Sequence, residues 1–301
     1  MNVVVVGGAG FIGSHLTERL LAEGHVVDVV DSLSTGSLSN LAEARAGGGT
    51  LKIHTMDAAA PEFEALVAMR APEVVYHLGL LPPGEPAERT AGSSLASLVS
   101  VLEAVRRAGA GKVVVALSAV SLYGDVPAKE QPVKEGHAWN PVGVRGVVSQ
   151  SVLDLLAAYR WLHAVEFTAL ALGNVYGPRQ RPEAGVVAAF ASALLDGAMP
   201  VLHGDGRQTR DFVHVDDTVD ALVRAAHKAS GLVVNIGTGV ATSVRELWNL
   251  MAGSGAKRPT TGPRRTDDVS RCSLAPTRAR IHLAWAPWTD LATGVRSLLV
   301  E

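Results

Sequence analysis

A single cysteine, Cys272, in 301 residues excludes an intrachain disulfide, so the fold must be held by its core. Aromatic residues are scarce at 5%, and charged residues make up 19% against 48% hydrophobic. There is no excess of either sign, with 27 Lys+Arg against 29 Asp+Glu and a formal net charge of -2. Without a basic run the chain carries no electrostatic footprint for nucleic acid or for an anionic membrane surface. Long apolar runs are missing too. The longest are broken by Gly, Ser, Arg or Asp within a few residues, so none reads as a membrane span, and the N-terminus lacks the pattern of a signal peptide. These absences leave a globular protein, expected in the cytoplasm, that works on a small molecule. No metal, nucleic-acid or membrane partner is expected, and a homodimer stays open.

What is present is alternation. Strand-like runs "NVVVVGG", "HVVDVVDS", "LKIHTMDA", "EVVYHLG", "KVVVALSAVSLYG" and "EFTALALGNVYG" are separated mostly by amphipathic helical segments. That order implies an α/β fold with a doubly wound parallel sheet of Rossmann type. After Pro178 the texture turns to short elements and turns, with helical patches near 184–197, 216–229 and 243–252. The expected division is a dinucleotide-binding domain over 1–175, to which a segment near 211–238 returns, and a smaller C-terminal substrate-binding lobe over 176–301. A ligand cleft is expected between them.

The stretch "VVVVGGAGFIGSHLTERLLAEGHVVDVVDS" places Gly7, Gly10 and Gly13 between a strand and a helix, with Asp31 closing the next strand. Glycines there let the chain turn tightly, let backbone approach a pyrophosphate and let the helix pack on the sheet, while the helix N-terminus favours phosphate charge. The acid follows at the spacing of a ribose ligand. NADH or NADPH is therefore the expected cofactor. Asp31 favours NADH, because a 2'-phosphate would meet a carboxylate, whereas Ser32, Ser34 and Thr35 could hydrogen-bond a phosphate if Asp31 turned away.

The glycine spacing in "GGAGFIGSHL" resembles the extended short-chain dehydrogenase/reductase family of nucleotide-sugar epimerases, dehydratases and reductases, and the similarity runs through nearly the whole chain. It implies cofactor contacts at Phe11 and Ile12 of the turn, at Asp57 and Ala58 of "MDAAAP", and at Leu78 and Gly79 of "VVYHLG". It also implies substrate contacts at Leu80, Ser94, Ser118, Tyr123, Asn174 of "LALGNVYGPRQ" and Arg210 of "GDGRQTRDFVHVDD", with Arg265 as a second group for a pyrophosphate.

The same resemblance exposes a deficit. The family keeps a Ser or Thr, a Tyr and a Lys at its catalytic centre, and Ala119, Gly146 and Gln150 stand at the matching positions. A register one residue earlier gives Arg145 and Ser149. Hydride addition to a carbonyl makes an alkoxide that the tyrosine normally protonates, and glycine cannot do so. The dehydratases' Asp-Glu pair is replaced by Val120 and Ser121, which argues against dehydration. Gln150 is expected to hold the nicotinamide ribose in place of the lysine. Ser118, Ser121 and Gln150 are the catalytic candidates, with Tyr123, Tyr176 and His137 as further places for a relocated acid. Alternatively the substrate brings its own proton, as an aromatic polyketide does when a phenol lies beside the ketone. The Leu-, Pro- and Gly-rich stretch "HLGLLPPGEPAERTAGSSL" suits such an apolar ligand, and the pattern resembles ketoreductases of angucyclinone type. The expected function is thus an NAD(P)H-dependent carbonyl reductase of an aromatic polyketide in antibiotic biosynthesis. The alternatives are a nucleotide-sugar ketoreductase or epimerase with a displaced acid, and a non-catalytic NAD(P)-binding regulator. Arg210 bears on that choice: it either reaches the cleft or pairs with Asp211 or Asp216 and braces the lobe.

Overall fold

The computed structural model describes residues 1–109, 111–253, 259–265 and 268–299. Seven parallel strands form the central sheet: β1 (Asn2–Val6), β2 (Val26–Asp31), β3 (Leu51–Thr55), β4 (Val74–His77), β5 (Lys112–Ser118), β6 (Glu166–Leu172) and β7 (Leu232–Ile236), in the order β7-β6-β5-β4-β1-β2-β3. Strands buried on both faces need not alternate, which is why β1 reads as a run of valines. The order reverses between β1 and β4, and that switch point opens a crevice at the carboxyl ends of the strands.

Helices cover both faces. Helix α1 (Phe11–Ala22) packs on one side, and α2 (Pro61–Arg70), α3 (Ala87–Ala108) and α4 (Gly143–His163) on the other. Leu16 and Leu20 of α1 lie in the first core, while Phe63, Leu98, Leu102, Val152 and Leu156 fill the second. Helix α4 begins with "GVRGVVSQ", which holds Gly146 and Gln150.

The chain then leaves the sheet and returns. Helix α5 (Val186–Leu195) goes to the C-terminal lobe, α6 (Val215–Ala225) packs against α1, β7 extends the sheet beside β6, and α7 (Val244–Ala252) leads back into the lobe. The lobe has its own core, in which Phe190 and Trp248 meet edge to face with ring centroids 5.1 Å apart. Asp211 ties the crossings together. Its buried carboxylate accepts from Thr238 N and Oγ1, Gly239 N and Leu274 N at 2.7–3.0 Å. Burial raises its pKa and these donors oppose the rise. No helix among the described residues is long and apolar enough to cross a membrane.

Candidate functional site

The crevice is a cleft of about 310 Å³ above β1, β2 and β4. Its floor is the glycine turn. Gly7 adopts a left-handed φ of 80° where it abuts Gly79, and a Cβ on it would lie 2.8 Å from Gly79 N. At Gly13 a Cβ would lie 2.1 Å from Gly7 O, so the helix can enter this closely only on glycine. Gly10 differs: its Cβ would meet Gly7 O at 3.2 Å and nothing else within 4 Å, leaving a side chain there to fill the cleft. Backbone donors at the N-terminus of α1 and this bare approach suit a pyrophosphate.

The acid of β2 sits beside the turn. Asp31 accepts from Ala9 N at 2.9 Å and Leu33 N at 2.8 Å, is 8% exposed and forms part of the cleft wall. Phe11, Ile12, Ser32, Ser34, Thr35, Asp57, Ala58, Leu78 and Gly79 also line the cleft, so the residues expected at the cofactor are brought together there, with Gln150 as the exception. Sequence reasoning missed Asn40, whose Nδ2 donates to Ala9 O at 2.9 Å, and the cross-cleft residues Arg179, Gln180 and Arg181.

The β4–α3 stretch reverses its expected role. Leu80 and Leu81 turn into the core beneath α3, 6% and 4% exposed, and the cleft receives Thr90, Ser93, Ser94 and Ser97 instead. These four stand at i, i+3, i+4 and i+7, one face of a helix. In place of the leucines, these residues line the cleft together with Pro82 and Pro83. Ser94 is one of them, and its Oγ accepts from Leu81 N at 3.0 Å.

Around β5 the candidates separate. Ala119 is fully buried with Tyr123 and Cys272 behind the strand end. Ser118 and Ser121 place their Oγ atoms 3.4 Å apart, off the cleft wall described above. Gly146 packs on the same turn, and a Cβ there would lie 2.3 Å from Ser121 O, so no side chain fits at that point of α4. Arg145, one residue earlier, reaches the other way and donates to Leu81 O, Pro82 O and Glu85 O. Ser149 Oγ returns to Arg145 O at 2.8 Å. Gln150 is half-buried on the same helix.

None of the four tyrosines reaches the cleft. Tyr123 is fully buried and donates to Asn235 Oδ1 at 2.8 Å, so it does not meet a ligand as expected; burial raises its pKa. Tyr176 lies in the lobe core with its hydroxyl against Gly294, and burial raises its pKa too. Tyr76 is buried in the sheet and Tyr159 donates to Glu103 at 2.9 Å. His137 is tied to Glu130 at 3.1 Å. Arg210 is 8% exposed and pairs with Asp268, so it braces the lobe; the partner is neither Asp211 nor Asp216. Arg265 is exposed. Asn174 keeps its Oδ1 buried without a partner just beyond β6.

Comparison with known proteins adds chemistry to this geometry. The chain is 42% identical to a UDP-glucose 4-epimerase of Mycolicibacterium smegmatis, over 98% of this chain and 96% of that protein. Among solved structures it is similar to the UDP-glucose 4-epimerase of Thermotoga maritima with UDP-glucose, with a TM-score of 0.92, 33% identity and coverage of 99% and 97%. It is also similar to the Thermus thermophilus UDP-glucose 4-epimerase in complex with NAD, with a TM-score of 0.91, 31% identity and coverage of 99% and 98%. These likenesses run to nucleotide-sugar enzymes and give no support to the expected aromatic-polyketide ketone. Residues 3–237 match the NAD dependent epimerase/dehydratase family, and the chain belongs to it.

Proposed function

We propose that the protein is an NAD-dependent enzyme of nucleotide-sugar chemistry that epimerises a hexose on a uridine diphosphate carrier. The observation that carries this is the 42% identity to a UDP-glucose 4-epimerase across both chains, read together with a complete glycine-turn cleft. When bound, NAD supplies a hydride acceptor. Gly7, Gly10 and Gly13 would leave room for its pyrophosphate, and Asp31 would accept from the adenosine ribose. The loop Ser32–Asn40 contains no Lys or Arg to balance a 2'-phosphate, which favours NAD over NADP. The unpaired Asn174 Oδ1 is an acceptor for a donor on the sugar nucleotide.

Oxidising an alcohol also needs a proton acceptor, and reducing the ketone returns that proton. With no tyrosine on the cleft, Ser118 and Ser121 at the end of β5 are the relocated hydroxyls we infer, able to hydrogen-bond the substrate alcohol and its ketone, while the proton released on oxidation has to pass to a base in solution. Neutral hydroxyls are poor bases, so turnover should be slow. Gln150, if α4 shifts toward the ligand, would hold the nicotinamide ribose as a neutral donor and acceptor. A second reading, a dinucleotide-binding protein without turnover, is favoured by Gly146, whose contact with Ser121 O leaves no space for an acid.

The purified protein should interconvert UDP-glucose and UDP-galactose when NAD is supplied, followed by NMR of the anomeric protons, and Ser118→Ala with Ser121→Ala should each slow it by about 10²-fold or more. NAD binding in calorimetry without interconversion transfers the assignment to the second reading.

A further inference from the structure

Between Tyr176 and α5 the chain runs along the crevice, where Arg179, Gln180 and Arg181 line the cleft, and it is pinned on two sides. On the α1 side Arg179 pairs with Glu18 at 2.8 Å, both side chains mostly buried, donates to Ser14 Oγ at 3.2 Å and lies 3.7 Å from Glu43. His15 of α1 adds a bond from Nε2 to Pro178 O at 3.1 Å. On the other side Arg181 donates to Pro83 O at 3.2 Å, in the loop between β4 and α3. The two arginines stand two residues apart, so this short run bridges the opposite walls of the crevice.

The bridging position carries costs of its own. Arg179 holds a left-handed φ of 68°, which residues other than glycine rarely adopt. Gln180 donates its Nε2 to Val175 O at 3.0 Å, yet its Oε1 is buried with no partner, an acceptor that water would satisfy. The charged anchors offset these costs, which is the balance expected of a segment with two positions. There is also space to move into. Behind the run lies a second hollow of about 320 Å³, close in size to the cleft in front, and Arg179 and Gln180 line both. Its far wall is Ala188, Ser192 and Leu195, one face of α5.

We propose that residues 178–184 form a strap that swings between the cleft and the hollow behind it, and so gates the exchange of the bound dinucleotide. This rests on the reading that NAD occupies the cleft. The α1 anchors are contacts within the protein, made alike with the cleft full or empty. Loosening them therefore changes the rates of entry and exit together and leaves the affinity in place. Filling the hollow slows both.

The test is stopped-flow fluorescence of NADH on the full chain, with association read on mixing, release read in a chase with excess NAD, and affinity read by calorimetry. Glu18→Ala and, separately, His15→Ala each remove one anchor on α1, and neither residue lines the cleft. Each should speed association and release by about threefold to tenfold, the range for one mostly buried ion pair or hydrogen bond, with the Kd kept within about twofold. Ser192→Leu, which puts a larger side chain into the hollow, should slow both rates. Release at the unmodified rate in both anchor variants, or a Kd that rises in step with release at constant association, overturns the gate and leaves the NAD reading standing. Exchange at the unmodified rate in Ser192→Leu overturns the swing into the hollow, and with it the proposal. Failure of NADH to bind the unmodified protein overturns both the gate and the NAD reading.

Discussion

Three glycines in this chain are held for two different reasons, and a methyl group distinguishes them. Gly13 and Gly146 are packed against backbone oxygens, where a Cβ would lie 2.1 Å from Gly7 O and 2.3 Å from Ser121 O. Gly10 faces the cleft with an ordinary negative φ of -78°. Gly146→Ala should therefore force α4 away from the Ser121 turn and cost about 1–3 kcal/mol, the usual range for overpacking, read as a lower urea midpoint. Gly10→Val should keep most of the stability and abolish NAD binding in calorimetry. If Gly10→Val binds normally, the pyrophosphate does not sit on this turn. The role of Gly10 was legible from spacing alone, because the motif encodes a local turn. That of Gly146 was not, since its neighbour Ser121 is 25 residues away in sequence and the contact exists only after α4 docks.

At the scale of elements, the sheet and its helices follow from period and alternation, which are properties of contiguous residues. Orientation across a loop is different. "HLGLLPP" reads as an apolar pocket, yet Leu80 and Leu81 turn to the core because Arg145 holds the loop by its carbonyls while Leu81 takes a left-handed φ of 46°. The signal that could have been found was on α3, where Thr90, Ser93, Ser94 and Ser97 repeat at helical spacing. From the other lobe Arg181 donates to Pro83 O at 3.2 Å, so two arginines fix one loop from opposite sides. Hydrogen bonds from a charged group contribute about 1.5–3 kcal/mol each, and solvent reduces this at a half-buried guanidinium. Arg145→Ala should lower stability by roughly 2 kcal/mol and speed amide exchange in a peptide covering 79–90, with little change in α2. Unaltered exchange across 79–90 would show that the loop holds its shape without α4.

For the whole molecule, the buried imidazoles set how stability responds to acid. His77 has an ordinary value of 6.5 in the unfolded chain and is pushed by burial down to about 3 in the fold. Between those values the unfolded state binds a proton that the folded state refuses, so stability is complete above about 6.5 and falls as the pH drops toward 3. His25 and His214 are also lowered by burial and act in the same direction. Asp211 and Asp217 act in opposition: burial raises them, so the folded state takes up their protons first and gains stability as the pH falls through their folded values. A bare acid titration mixes these contributions, and one substitution separates them. Each unshared proton contributes a slope of about 1.4 kcal/mol per pH unit, and His77→Phe removes one such proton while leaving the other four groups in place. Urea midpoints collected from pH 7 to pH 4 should fall in both proteins, with the variant flatter by about that slope over the range where the unfolded histidine is charged. Parallel curves would mean that His77 is protonated in the fold, or reaches water there.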